Sequence, residues 1–149
     1  MRAAGDTTFR ALGRGVVAGV AGTAAMTAAQ SAYYRATGAE SSSTPAEVAK
    51  RLIRGVLQRE VDDRHTAALN NATHWLYGTG WRALYGLAAR RPTHGIAFAL
   101  AVWGVSLVEL PAMKLAPPVW EMAPAQIAPD LGFHLVYGTV VGQTHRALG

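Results

Sequence analysis

The chain has 149 residues, the size of one domain, and this length leaves no room for a catalytic domain beside a regulatory one. Half of its residues are hydrophobic and only 15% are charged, against roughly 25% in soluble domains, so the composition favours a membrane protein. The net charge of +5 comes without a tract of consecutive basic residues, which argues against nucleic acid as a partner, and the absence of cysteine excludes disulfides, thiolate metal sites and a cysteine nucleophile.

The first predicted element is an apolar span at residues 14–34. Its uncharged stretch, VVAGVAGTAAMTAAQSA, is rich in Ala and Gly. The glycines follow a small-residue spacing that lets helices approach closely in lipid, so we predict a packed transmembrane helix with Gly15, Gly19 and Gly22 at the contact. The alternative is a secretory signal, in which the preceding arginines form the charged region and AQSA the cleavage site.

A polar stretch follows, SSSTPAEVAKRLIRGVLQRE, in which we predict an amphipathic helix at residues 44–59. Thr44 is the predicted N-cap, Pro45 suits the first helical position, and Glu47 completes a capping box. The apolar face has the i, i+3, i+4, i+7 spacing, and it consists of Ala49, Leu52, Ile53 and Val56. This basic helix is predicted to lie either on the lipid surface or on the other helices.

Three further segments, at residues 67–89, 95–112 and 126–146, have few charges and nearly the length of a bilayer crossing. Prolines at 111, 117 and 118 are predicted to end the third span and to shape the loop after it. We therefore predict an all-α, single-domain protein over residues 1–149, an integral membrane four-helix bundle of two helical hairpins with an amphipathic surface helix in its first loop. A soluble helical bundle with an Ala-rich core is the alternative.

The motif HWLYGT at residues 74–79 recurs as HLVYGT at residues 134–139. The second and fourth spans point the same way, so the two hairpins are predicted to form a parallel repeat. In each copy the glycine, Gly78 or Gly138, permits close approach of a neighbouring helix, and the Tyr and His can form hydrogen bonds across the gap. In the second span this face is predicted to continue through Trp81 and Tyr85.

The ionisable residues of these spans are predicted to share one depth. At 1.5 Å per residue, His74, Glu109 and His134 lie about 24, 21 and 18 Å from the ends near the termini. Asp130 is one turn from His134, and an i, i+4 carboxylate can accept the imidazole proton. Ionisable groups inside a membrane are costly and are functional candidates by default. We call the whole set the polar layer: His74, Tyr77, Glu109, Asp130, His134 and Tyr137.

Four interpretations of the polar layer remain open. The imidazoles and carboxylates could handle protons or a cation; His74 and His134 could hold a divalent metal or the two axial positions of a haem; or the polar groups could fasten helices without any ligand. No cofactor is predicted outright. The chain is not predicted to be an enzyme, because the glycines of GRGVVAGVAG follow no strand and Ser41 to Ser43 have no accompanying base.

The arginines directly beside the ends of spans favour an orientation with both termini in the cytoplasm. They are Arg10, Arg14, Arg90 and Arg91. A count over all loops does not separate the two orientations. The predicted partners are the lipid bilayer and either a second copy of the chain or a membrane complex.

The segment PAMKLAPPVW at residues 111–120, followed by an acidic residue and then by Asp130 and His134, resembles the carboxyl half of the YagU-like family of bacterial inner-membrane proteins. The most specific part is the Pro-Pro pair with its interval to His134, and the aromatic residues after His74 look similar too. Lys114 departs from the resemblance, since a small residue is expected there. The resemblance implies a multi-pass helical protein of the inner membrane with cytoplasmic termini, and it assigns no catalytic residue.

Overall fold

The computed structural model describes residues 2–88 and 94–148, with side chains described over residues 9–84 and 94–148. In these parts the chain forms five α-helices, two single 3₁₀ turns (Asp63–His65 and Val119–Glu121) and no strand, which confirms the predicted all-α class. The helices are α1 (Arg2–Thr37), α2 (Thr44–Leu57), α3 (Thr66–Ala88), α4 (Gly95–Ala112) and α5 (Pro124–Ala147). The Tyr85 side chain, Arg90 and Arg91 lie outside the described residues.

The long helices form two antiparallel pairs that pack on each other. In the first pair, Gly15 on α1 lies against the end of α3 at Arg82, while Thr27, three turns later, meets His74. In the second pair, Gly95 at the start of α4 lies against Gly142 near the end of α5. Helix α1 also packs along α5, and α2 packs on α3. Helices α3 and α5 therefore run in the same direction, and the termini lie at one end of the bundle.

The centre of the bundle is small and is built largely by close backbone approach. The buried core comprises Ala18, Phe98, Val102, Tyr137 and Val141, with Met26, Tyr77 and Trp81 packed against it. A Cβ atom on Gly138 would collide with the Gly95 carbonyl oxygen and with Ala99 of α4. Only glycine allows two helix backbones this near one another, and such contacts occur between α1 and α3 as well. Close packing of these helices therefore depends on glycines at the contacts rather than on large apolar side chains.

The start of α2 is capped by a residue from another helix. Asn70 on α3 accepts a hydrogen bond from the Ala46 N–H at 3.0 Å and donates one to the Ser42 carbonyl oxygen at 3.2 Å. The N-cap residue is Ser43, which makes no side-chain capping bond, so the predicted capping box of Thr44 and Glu47 is not formed. The exposed start of α2 is instead satisfied through its packing on α3.

The face that α2 turns towards the bundle differs from the predicted one. Ala46 is fully buried, while Leu52 and Val56 are 54% and 76% exposed. Of the predicted apolar face, Ala49 and Ile53 are half-buried. The helix is amphipathic as predicted, but its contact with α3 is centred on Ala46, about a quarter turn from the centre of the predicted face. Half of that face is left without a partner in the described structure.

The two helices α1 and α4 are long and apolar enough to cross a membrane, judged by length and composition over Phe9–Thr37 and Gly95–Ala112. Within the fold, 28% of the first apolar window and 17% of the second are buried. Large hydrophobic side chains consequently point outward along the bundle, and those on the long helices are Phe9, Val16, Val17, Val20, Leu76, Leu84, Ile96, Leu100, Val105, Val108 and Val136.

Candidate functional site: a layer of paired polar side chains

His74 is paired with a threonine on the neighbouring helix. Its Nε2 atom lies 3.1 Å from Oγ1 of Thr27 on α1, and the Thr27 hydroxyl also lies 2.8 Å from the main-chain carbonyl oxygen of Thr23. A carbonyl only accepts, so the single hydroxyl proton of Thr27 is donated to Thr23. The His74 ring must then donate from Nε2, which fixes the hydrogen-bonding role of this histidine as a donor between α3 and α1.

Tyr77, one turn after His74, is hydrogen-bonded to a carboxylate of α4. Its hydroxyl donates to Oε2 of Glu109 at 3.1 Å, and its ring contacts Trp81 edge-on with centroids 5.9 Å apart. A charged acceptor strengthens such a hydrogen bond, and it also gives the half-buried carboxylate a partner. The predicted proximity of the second and third spans at this depth is thus seen in one specific contact.

Asp130 and His134 interact on α5, but less directly than the i, i+4 spacing predicts. The His134 Nδ1 atom is 2.9 Å from the main-chain carbonyl oxygen of Asp130 and 3.7 Å from its carboxylate Oδ1. Because the carbonyl accepts, Nδ1 carries a proton, and the neutral ring keeps a free lone pair on Nε2. The carboxylate itself accepts a hydrogen bond from the Trp103 ring nitrogen on α4 at 2.8 Å.

Tyr137 is the most buried member of the polar layer, with 2% of its surface exposed. Its hydroxyl donates a hydrogen bond to the main-chain carbonyl oxygen of Gly78 on α3. Its ring packs beside Phe98 of α4 at a centroid distance of 5.8 Å. This side chain therefore touches both hairpins and joins the second copy of the repeated motif to the first.

The polar layer is arranged as separate pairs rather than as one cluster. Within the described part of the chain, no three His, Asp or Glu side chains come together in a group that could hold a metal ion. The rings of His74 and His134 are within electrostatic range of one another, yet His74 hydrogen-bonds to α1 and His134 to the main chain of its own helix, α5. What the arrangement does chemically is to link α1 with α3, α3 with both α4 and α5, and α4 with α5.

The glycines singled out from the sequence all lie at helix contacts. Gly15 and Gly19 face α3, Gly22 faces Tyr137 and Val141, Gly78 faces the Thr23 hydroxyl, and Gly138 faces the start of α4. The sequence reasoning missed their counterparts Gly95 and Gly142, which face each other across α4 and α5. Gly142 could have been predicted at this contact, because it is one turn after Gly138 on α5.

The sequence reasoning also missed most of the partners of the polar layer. Thr27 and Trp103 could not be predicted as partners, because an uncharged threonine or tryptophan in an apolar span does not indicate a polar contact. Arg82 was not singled out either, although it is 3% exposed, with its guanidinium 5.8 Å from the centre of the Phe98 ring. An arginine in the middle of an apolar segment was the available signal.

Comparison with known proteins adds no identification: no family model, no curated protein and no solved structure matches this chain.

Proposed function

We propose that this chain is a small multi-pass protein of the bacterial inner membrane, with its termini in the cytoplasm, that serves as a structural or accessory component of a membrane assembly. In this proposal all four long helices cross the bilayer, and the polar layer fastens them together. The observation that carries the proposal is the combination of an apolar exterior with polar side chains that are paired inside.

The apolar exterior argues for lipid around the bundle. A soluble bundle turns its apolar windows inward, whereas α1 and α4 have 28% and 17% of theirs buried. Covering an exposed Val or Leu side chain stabilises a protein by about 1.5–3 kcal/mol, so a surface with many such residues favours an apolar surrounding. Helices α3 and α5, with 23 and 24 residues, are long enough to cross a bilayer of about 30 Å, although their polar residues lower their hydropathy.

The pairing of the polar layer supports fastening over transport. In a membrane, polar side chains that bond across helices stabilise their association, by about 0.6 kcal/mol on average and up to about 1.7. His74, Tyr77, Asp130 and Tyr137 each bond to a residue of another helix. The resemblance of the Pro-Pro segment to YagU-like proteins agrees with an inner-membrane location, and Arg10 and Arg14, at the start of the predicted first span, agree with a cytoplasmic amino terminus.

Fractionation tests the membrane location directly. The tagged protein is expressed in a bacterium, and the isolated inner membrane is washed with alkaline carbonate, which removes peripheral proteins. The proposal expects the chain to stay in the membrane pellet, and its release into the wash would refute four crossings. A fluorescent-protein fusion at the carboxyl terminus should be bright, because that fold matures in the cytoplasm, while an alkaline phosphatase fusion at the same site should be inactive.

A second candidate function is proton handling at Asp130 and His134. It is favoured by one observation: the Asp130 side chain is 45% exposed while the His134 side chain is 12% exposed, so a carboxylate at the surface leads to a mostly buried imidazole with a free Nε2. A carboxylate beside an imidazole is an arrangement used in proton relays.

Proton flux into liposomes separates the two functions. The purified protein is reconstituted with a pH-sensitive dye inside the vesicles, and a pH gradient is imposed. Proton handling expects faster flux than in protein-free vesicles, and loss of that flux in His134→Gln, since glutamine keeps hydrogen bonding but does not titrate. His74→Gln is the matched control at the other copy of the motif. Flux equal to that of empty vesicles would eliminate the second candidate and leave fastening.

A further inference from the structure

Basic side chains converge where the two termini of the bundle lie. Arg82 on α3 is buried there: its Cβ contacts the position of Gly19 on α1, and its guanidinium lies over the Phe98 ring of α4. The π face offers a desolvated cation part of the stabilisation that water would give. Arg82 is about six residues, or roughly 9 Å, from the end of α3, which places it just beneath the end of the bundle.

The end of α5 and the start of α4 lie side by side at Gly142. The Nη1 atom of Arg146 is 4.0 Å from the position of a Cβ on Gly142, and the main-chain nitrogen of Gly95, in the first turn of α4, is 3.0 Å from the same point. The first N–H groups of a helix have no intrahelical acceptor, and they carry partial positive charge. A guanidinium and the start of a helix are thus directed at one small region.

His145 adds an unused polar atom to this region. Its Nδ1 atom is buried and has no hydrogen-bond partner in the described structure. The guanidinium groups of Arg14 and Arg82 are both within electrostatic range of its ring. Arg14 adjoins Gly15, which packs on the main chain of Arg82, so the backbone contacts independently bring these residues to one level. We call Arg14, Arg82, His145 and Arg146 the basic end.

Acidic groups are distributed very differently. All eight Asp and Glu side chains that the structure describes lie in the other half of the bundle or in its loops: Glu40, Glu47, Glu60, Asp62, Asp63, Glu109, Glu121 and Asp130. Two of them form ion pairs with basic residues of α2, Asp63 with Lys50 and Glu60 with Arg54. The basic residues of that half of the protein are therefore accompanied by carboxylates, whereas none of these described carboxylates is near the basic end.

We propose that the basic end binds the phosphate group of an anionic lipid headgroup. The exposed Arg14 and Arg146 contact the phosphate oxygens, the N–H groups at the start of α4 donate to them, and the buried Arg82 contributes positive charge from behind. Arginine side chains at helix ends extend to the headgroup level while their stems stay in the apolar region. This inference rests on the proposed membrane location. Free phosphate has the same recognition chemistry, so the experiment compares the two sources.

The test is thermal unfolding of the purified full chain in a neutral detergent. Phosphatidylglycerol, phosphatidylcholine or inorganic phosphate is titrated into separate samples. Phosphatidylglycerol should raise the unfolding temperature of the wild type, and phosphatidylcholine should not. Each arginine near a lipid surface contributes about a fivefold gain in affinity, so the R14Q/R146Q variant should need roughly 25 times more phosphatidylglycerol for the same shift. Both residues are exposed, so this variant should fold, and R14K/R146K should respond like the wild type.

The matched control is R51Q/R59Q, which removes two exposed arginines far from the basic end, one on α2 and one directly after it, and should leave the response unchanged. Equal responses of wild type and R14Q/R146Q, or equal shifts with phosphatidylcholine, would overturn the site. A shift with inorganic phosphate alone that depends on Arg14 and Arg146 would show a phosphate site whose source is not lipid. Because that arm needs no membrane, it can succeed even where carbonate extraction refutes the membrane location.

Discussion

Tyr137, in the second copy of the repeated motif, donates a hydrogen bond from its hydroxyl to the main-chain carbonyl oxygen of Gly78 in the first copy. The equivalent tyrosine, Tyr77, donates to the Glu109 carboxylate instead. The two glycines, by contrast, have the same role, because each faces the other helix of its own antiparallel pair. Gly78 faces α1, and Gly138 faces α4. The two copies thus share a packing role while their hydroxyls serve different partners.

Removing the Tyr137 hydroxyl should weaken the contact between the hairpins. Tyr137→Phe keeps the buried ring and its packing on Phe98, but it removes the donor to Gly78. We expect the free energy of unfolding to fall by about 1 kcal/mol, the scale of hydrogen bonds between membrane helices. Unfolding by titration with a denaturing detergent measures this. The control is Tyr33→Phe, because the Tyr33 ring packs on Phe133 and its hydroxyl makes no hydrogen bond among the described residues. Equal losses in both variants would show that the ring alone matters.

Two glycines on α5 should respond in opposite ways to the same added methyl group. In Gly138→Ala the new Cβ meets main-chain and side-chain atoms at the start of α4, which cannot move independently of the helix. Overpacking of this kind typically costs about 1–3 kcal/mol. In Gly132→Ala, two turns earlier, no atom lies within 4 Å, so the higher helix propensity of alanine should stabilise α5 by up to about 1 kcal/mol. Unfolding temperatures of the two variants give the comparison, and a loss in Gly132→Ala would mean that this face has a partner.

The spacing of the glycines correctly predicted which helix faces are in contact, because two helix backbones can approach this closely only where glycine lies on the contacting face. Gly15, Gly19 and Gly22 recur at intervals of three to four, so their shared face could be read without knowing the neighbour. Hydrogen-bond partners could not be predicted in this way. Which hydroxyl meets His74 depends on the rotation and the shift of α1 against α3, and one turn of slip would offer Thr23 in place of Thr27.

The face of α2 shows a second limit of periodicity. Spacing placed Leu52 and Val56 with Ile53 on one apolar side, but Ala46 is the residue that is fully buried. The Asn70 side chain bonds to the Ala46 N–H and so fixes the rotation of α2 from outside the helix. A tertiary cap of this kind has no signature in the local sequence, since Asn70 lies 24 residues away.

The end of α4 offers a stabilising substitution. Lys114 has a φ of 56°, in the left-handed region that favours glycine, and it follows the last helical turn. The Leu115 N–H bonds to the Leu110 carbonyl oxygen and the Lys114 N–H to that of Pro111, which is the pattern of a Schellman cap. The left-handed conformation costs a residue with a Cβ roughly 1–2 kcal/mol, and glycine avoids this cost.

Lys114→Gly should therefore raise the free energy of unfolding by about 1 kcal/mol, even though it removes a charge. Lys114→Ala is the control, because it removes the same charge while keeping the Cβ. We expect no gain in that variant. If both variants were stabilised equally, loss of the charge and not relief of the backbone would be the cause.

The ion pair between Lys50 on α2 and Asp63 in the turn before α3 should make the docking of α2 depend on pH. The Lys50 Nζ atom is 2.8 Å from the Asp63 carboxylate. Their hydrogen bond lowers the pKa of Asp63 from its ordinary value of 3.8 and raises the pKa of Lys50 from 10.5. Because the folded pKa of Asp63 is the lower one, its stabilising effect is present above pH 3.8 and is lost as the pH falls through the folded value. The effect of Lys50 is present below pH 10.5 and is lost as the pH rises through its raised folded value.

Hydrogen exchange of the α2 amides, followed by mass spectrometry with correction for the intrinsic exchange rate, measures this dependence. At pH 7 the amides of Asp63→Asn should exchange faster than those of the wild type, by a small factor because the Asp63 side chain is 96% exposed. Once the pH is below the lowered folded pKa of Asp63, the two proteins should become equal, since Asp63 is then protonated in both states. In a Lys50→Met background, Asp63→Asn should have no effect at either pH. A difference that persists at the acid limit of the titration, or in the Lys50→Met background, would assign the effect to the turn itself and not to the ion pair.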